Sequence, residues 1–282
     1  FVRNNKKIDN YFNQLLKNNK KTNIDFYNCS LAIVNKNIKK IKKCNYKNNN
    51  CWIKCPSNST FIPENYFKNF NNTNYKHING VVLKFKKKNN IFEIICKNNK
   101  SNFILKSKKI ILASGTISTT KLVCDYLNYN GTVRLIHNPM ILFSYFSLRK
   151  IIKNLNFWPA QLTFKIKNEQ NEKYSFGSLR SINRIIINKI SLNYGIFGPF
   201  IKLILNLLKK YICLGQLYLD GNYSLLKMDF NKGKLKKIYP KGDQIIINNT
   251  LKKYLKILIT NLQSFDKSCL LLKNIIPKLG SD

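Results

Sequence analysis

The residues best placed for chemistry are Ala113, Ser114, Gly115 and Thr116. There an apolar run, Lys109-Ile110-Ile111-Leu112-Ala113-Ser114, meets a segment of helical spacing from Ser118 to Leu127. A continuous apolar run of this length suits a buried parallel strand. When such a strand ends in Ala-Ser-Gly, its carboxyl edge carries no bulky side chain, and a nucleotide can approach the backbone. The helix start that follows adds unpaired N–H groups and a positive dipole end, with hydroxyl residues available to cap it. Short glycine turns also join strands to helices where nothing binds, so the junction alone does not assign a site.

Other reactive side chains are sparse. Cys44, Cys51 and Cys55 are spaced as three thiols that could hold zinc or an iron–sulfur cluster. No fourth ligand accompanies them, and Cys-x-x-x-Cys is looser than a zinc knuckle, so the expectation is no metal. His77 and His137 are the only histidines, and the 12 acidic residues are not grouped. No Ser-His-Asp or paired-carboxylate constellation is present, and a single histidine in a turn is more often a satisfied polar group than a catalyst.

The elements that must position these residues are legible in parts. Val81–Phe85, Ile91–Cys96 and Phe103–Lys106 are three short β-prone runs separated by Lys/Asn turns, which reads as an antiparallel meander feeding the run at 109–114. Further on, Gln161–Lys167 and Tyr174–Arg180 alternate like strands flanking a polar hairpin. Ile212–Leu219 and Tyr223–Phe230 do the same around Asp220-Gly221-Asn222. Gly198-Pro199 opens a helix to Tyr211 on which Lys202, Asn206, Lys209 and Lys210 share a narrow polar stripe. Most of that helix is therefore covered, by a core or by a membrane surface or partner. A long amphipathic helix occupies residues 244–272, with Leu251, Tyr254, Leu255, Leu258, Leu262 and Phe265 on one face. Residues 1–74 are rich in Asn and Lys, with a hint of helix only at Tyr11–Leu16.

With 282 residues and 44% apolar content the chain can bury a substantial core, which excludes global disorder. The net charge of +38 comes mostly from lysines scattered over the whole length, not from an arginine cluster on one face. It is read as compositional drift, with no specific nucleic-acid partner. Four of the eight cysteines sit in apolar patterns as small hydrophobes, and no disulfide-dense spacing is visible, so the cytoplasm is the default location. The longest apolar tract, Ile196–Leu219, is interrupted by Lys202, Asn206, Lys209 and Lys210 and falls short of a membrane span.

The segment Lys108 to Leu122 resembles part of the FAD-binding region of glucose-methanol-choline (GMC) oxidoreductases, in the branch associated with sugars and surface polysaccharides. Thr120 stands where that family usually has Pro or Ser. Three further segments follow in the same order as in that branch. They are Cys44 through Phe61, with Lys54 in place of Gly; Ile136-His137-Asn138-Pro139; and Gly215-Gln216-Leu217-Tyr218-Leu219 with the closing Gly280-Ser281-Asp282. The resemblance implies that Val82, Ala113, Ser114, Gly115 and Thr116 line the adenosine half of an FAD site. It also implies a catalytic histidine just beyond Asp282, so that no catalytic residue lies within the chain.

The fold it implies is α/β plus α+β. A partial Rossmann-like FAD-binding domain with a β-meander over residues 1–135, lacking the Gly-x-Gly-x-x-Gly phosphate loop, precedes a substrate domain over 136–276. That second domain is an antiparallel sheet covered by helices, and residues 277–282 begin a return to the first domain. The expected activity is oxidation of a CH–OH group of a small-molecule alcohol or sugar. Two rival readings are a non-catalytic module whose basic surface holds anionic glycan, nucleic acid or membrane, and a dinucleotide-dependent dehydrogenase of another family.

Overall fold

The computed structural model describes residues 2–4, 10–17, 23–32, 37, 74, 76–99, 101–151, 161–167, 174–182, 184–224, 226–240 and 244–275. The chain is mixed α/β, and every strand pairing among these residues is antiparallel. It divides into two compact units. Unit 1 comprises Phe1–Asn65, Asn138–Tyr223 and Ile245–Asp282, and unit 2 comprises Tyr66–His137 and Ser224–Gln244. The chain passes between the units four times.

In unit 1, β1 (Val2–Asn4) and β3 (Ser30–Ala32) form a two-stranded ribbon. The main sheet has six strands: β2 (Ile24–Asn28), β8 (Met140–Phe146), β9 (Leu162–Lys167), β10 (Tyr174–Ser181), β11 (Ile212–Tyr218) and β14 (Leu270–Ile275). Their spatial order is β14-β8-β11-β10-β9-β2. The alternation read at Gln161–Lys167 and Tyr174–Arg180 corresponds to the β9–β10 pair. One face of the sheet is apolar and buried, carrying Ile141, Phe143 and Tyr145, Leu162, Phe164 and Ile166, and Cys213 and Leu217. The long helix α5 (Gln244–Phe265) and the short α1 (Asn10–Lys17) add their own buried faces to this interior, including Leu251, Leu255, Leu258, Leu262, Phe12 and Leu15. Tyr11 meets Phe265 edge-on at 5.3 Å. The periodicity of α5 is the one expected, but the helix stops at Phe265 and residues 270–275 turn into the edge strand β14.

That stop is made by Asp266, which is buried. Its carboxylate accepts hydrogen bonds from the Ser147 and Ser268 hydroxyls and from the Ser268 N–H, and Arg149 lies at 3.9 Å. Burial works against the ionised form. The hydrogen bonds and the arginine outweigh it and hold the carboxyl below its ordinary value of 3.8. The unfolded chain then binds more protons than the folded one near that value, so this stabilisation is present above it and is lost as pH falls through the folded pKa. Asp266→Asn is expected to cost about 2 kcal/mol at neutral pH. Urea titrations of the two proteins should converge only as the pH falls from 3.8 through the lower folded pKa, where the wild-type carboxylate becomes protonated in the native state as well.

Unit 2 holds two three-stranded sheets. The meander β4 (Val81–Lys88), β5 (Ile91–Lys97) and β6 (Asn102–Ser107) forms as expected, with Asn89 and Asn90 both at positive φ in its first turn. The second sheet has the order β13 (Lys234–Pro240), β12 (Leu226–Asn231), β7 (Gly131–Leu135). Helix α2 (Thr116–Tyr126) packs on β4 and β13, where Tyr126 stacks on Phe85 at 4.8 Å and Cys124 joins Leu135, Met228 and Phe230 in a small core.

Two expectations are corrected. Ile212–Leu219 and Tyr223–Phe230 do not form a hairpin. β11 pairs with β10 and β8, β12 pairs with β7 and β13, and Gly221–Tyr223 is a 3-10 turn between them. The run at 109–114 is irregular and pairs with no strand among the described residues, so the parallel Rossmann-like sheet is not seen among them. A parallel strand exists only beside another strand, and Ile111, its apolar centre, is 94% exposed.

Candidate functional site

All five residues assigned to the cofactor edge lie in unit 2, and all are exposed. Val82 sits in β4, next to a register shift between Val82 and Lys84. Ala113 and Ser114 end the apolar run, with a bend at Ser114. Gly115, at φ 83 and ψ 162, turns the chain into α2, which Thr116 begins. That backbone region is open essentially to glycine alone. A Cβ built at Gly115 finds nothing within 4 Å, so the glycine answers to backbone geometry and to an open space beside it.

No side chain caps α2 through a hydrogen bond to its first N–H groups. The first helical bond runs from the Thr119 N–H to the Gly115 carbonyl at 2.8 Å, and the Ser114 and Thr119 hydroxyls lie 3.0 Å apart. The turn therefore presents backbone donors, a positive dipole end and two hydroxyls to open space. This donor set fits the sugar and phosphate oxygens of a nucleotide such as the adenosine half of FAD.

His137 lies in the same unit. Its Nδ1 is 2.6 Å from the Ser224 hydroxyl, which itself donates to the Leu135 carbonyl at 2.5 Å. With its one proton committed there, Ser224 accepts from His137, which fixes the Nδ1–H tautomer. Burial lowers the imidazole pKa, so the ring is neutral at pH 7. This geometry ties β7 to the approach of β12, a structural role.

A second feature was not assigned from the sequence. It is the outward face of the six-stranded sheet in unit 1. Cross-strand registers line up Tyr218, Phe176, Lys165 and Asp25 in one row, and Gln216, Ser178, Thr163 and Tyr27 in the next. Phe176 stacks on Tyr218 at 5.3 Å, while the Lys165 ammonium lies 4.7 Å from the Tyr174 ring and 5.0 Å from the Tyr27 ring. Tyr27, Tyr174 and Phe176 are each more than 40% exposed. Aromatic faces interleaved with hydroxyl, amide and ammonium groups suit a polyhydroxylated ligand, whose C–H faces stack and whose hydroxyls bond. The outward half of the Tyr174–Arg180 alternation carried this signal.

Among the described residues the remaining chemistry-bearing groups offer no competitor. Cys213 and Cys269 are buried thiols pushed up to about 12, chiefly by burial, and burial also raises Cys96 and Cys124, so none of them is a thiolate nucleophile at pH 7. No three His, Cys, Asp or Glu side chains converge on a metal-binding point among the described residues. Cys44, Cys51 and Cys55, and the closing Gly280-Ser281-Asp282, lie outside them. No protein-family model matches the chain, and no curated protein matches it.

Proposed function

We propose that the chain contributes the adenosine edge and the substrate-binding sheet of an FAD-dependent oxidoreductase of GMC type, acting on a CH–OH group of an alcohol or sugar. The observation that carries the reading is the open glycine turn at Gly115, with nothing packed where a Cβ would stand and an uncapped helix start beside it. The antiparallel meander before that turn, and an antiparallel sheet whose strands other than β2 follow it, support the reading. The backbone of Ala113 to Thr116 holds the nucleotide portion, and Val82 supplies an apolar contact from β4. When bound, FAD supplies the hydride acceptor for alcohol oxidation.

The exposed run at 109–114 fits the same reading. It pairs with no strand among the described residues, and we assign it to the parallel sheet of a Rossmann-like part. The substrate is held by the outward sheet face, with Phe176 and Tyr218 stacking on it and Gln216 and Lys165 bonding its hydroxyls. We place the protein in the cytoplasm, where the thiols of Cys96, Cys124, Cys213 and Cys269 stay reduced.

The test is substrate kinetics in the complete protein with an artificial electron acceptor. Phe176→Ala removes a stacking face and is expected to raise KM for a sugar substrate about tenfold with little change in kcat, the signature of lost ground-state binding. Unchanged KM for every oxidised alcohol or sugar would remove the sheet face from the site.

A further inference from the structure

The outward face of the six-stranded sheet carries two separate sets of groups suited to a sugar ring. The first is the stacked pair of Phe176 and Tyr218, with Gln216 in the next row. The second lies at the edge strand β2. There the Tyr27 hydroxyl donates to the Asp25 carboxylate at 3.1 Å, and the Lys165 ammonium stands 3.5 Å from that carboxylate and 5.0 Å from the Tyr27 ring. An aromatic face, a carboxylate that accepts from hydroxyls and an ammonium that donates to them make a full set for one ring of a polyhydroxylated ligand. Tyr27, Asp25 and Lys165 are all partly exposed.

The spacing of the two sets sets the length of the ligand. Phe176 is opposite Lys165, Lys165 is opposite Asp25, and Tyr27 lies two residues beyond Asp25 on the same side of β2. With strands about 4.8 Å apart and about 3.4 Å of rise per residue, Tyr27 stands roughly 12 Å from Phe176 and roughly 16 Å from Tyr218, well beyond the reach of a single hexose ring. At one end the face is closed along the strands. It continues past Arg180 and Leu214 to Ile182 and Ile212, which are buried where helix α3 (Arg184–Leu192) packs on them, with Leu205 of helix α4 (Gly198–Leu208) beside it. Across the strands, from β11 through β10 and β9 to β2, the row of aromatic and polar side chains stays open.

We infer, building on the assignment of this face to the sugar substrate, that the ligand is a linear oligosaccharide of about three rings laid across the strands. Phe176 and Tyr218 hold one ring, and Tyr27, Asp25 and Lys165 hold another two strands away.

The test is titration calorimetry of the complete protein with linear gluco-, manno- and galacto-oligosaccharides of one to about five units. In at least one series Kd is expected to fall about tenfold or more from monosaccharide to trisaccharide and to change little beyond it. Tyr27→Ala should weaken the trisaccharide about tenfold and the monosaccharide much less, whereas Phe176→Ala weakens both alike. Tyr27→Phe keeps the ring and should keep most of the trisaccharide's advantage. Saturation-transfer NMR makes the same check without a substitution, since irradiating the wild-type protein should mark at least two rings of the trisaccharide. Equal Kd for mono- and trisaccharide in every series, equal losses for both in Tyr27→Ala, or transfer to a single ring would overturn the inference. Binding of no sugar in the panel would overturn it together with the assignment of the sheet face. These readouts do not depend on flavin. A protein that holds FAD but gains nothing from chain length loses this inference alone, and a flavin-free protein that binds trisaccharides as described loses only the flavin assignment.

Discussion

Gly115→Val in the complete protein is expected to leave a folded chain that carries at least about tenfold less FAD than wild type, since a β-branched residue neither reaches φ 83, ψ 162 without strain nor leaves the space beside the turn open. The turn is exposed, so the backbone can relax locally at a cost of about 1–3 kcal/mol without disturbing either core. Flavin absorbance per chain, taken with far-UV circular dichroism, separates the two effects. Normal flavin occupancy in the variant would remove Gly115 from the cofactor edge. Loss of the circular dichroism signal together with the flavin would mean that the turn holds the fold and not the ligand.

The second large effect is on stability. Gly177 in β10 faces Phe164 in β9 and Leu217 in β11. The ring of Phe164 lies over the glycine, and a Cβ there would clash with that ring and with the backbone carbonyl of Gln216. Gly215 and Phe143 repeat the arrangement between β11 and β8. These glycines act through close approach, an aromatic ring covering a bare stretch of the neighbouring strand. A side chain could swing away, but the carbonyl of a central strand cannot. Gly177→Ala is therefore expected to cost about 3 kcal/mol or more, lowering the melting temperature by roughly 10 °C, as an overpacked core does. Adding Phe164→Leu should recover only part of the loss, because the carbonyl clash remains. Full stability in the single variant would show that the sheet adjusts freely at its centre.

What could be read from the sequence follows the range of the interactions involved. The meander was legible because its turn is local: Asn89 and Asn90 adopt positive φ where the Lys/Asn turn was expected. The β9–β10 pair and the apolar face of α5 were legible for the same reason, since alternation and helical spacing are carried within one segment. Asp220-Gly221-Asn222 has the composition of a hairpin turn, but composition does not name the partner. β11 is claimed by β8 and β10 on its two sides, which leaves β12 to β7, a strand about ninety residues earlier.

The apolar run at 109–114 reads as a strand from its residues alone, yet its pairing depends on segments that no local pattern can supply. The end of α5 was missed because β14 is as apolar as the helix before it. What stops the helix is the hydrogen-bonding of Asp266 to Ser147, more than a hundred residues away. The proposed cofactor edge stood out as a chemical pattern, whereas the outward sheet face emerged only once register brought Tyr27, Lys165, Phe176 and Tyr218 side by side.

The central claim, that the turn at Gly115 receives a flavin nucleotide, is tested most directly by denaturing the purified complete protein and quantifying the released flavin by chromatography and absorbance. The account predicts about one FAD per chain, with visible flavin bands in the native protein that bleach when an oxidisable alcohol or sugar is added without oxygen. A colourless protein that releases no flavin and acquires none on incubation with FAD would contradict it.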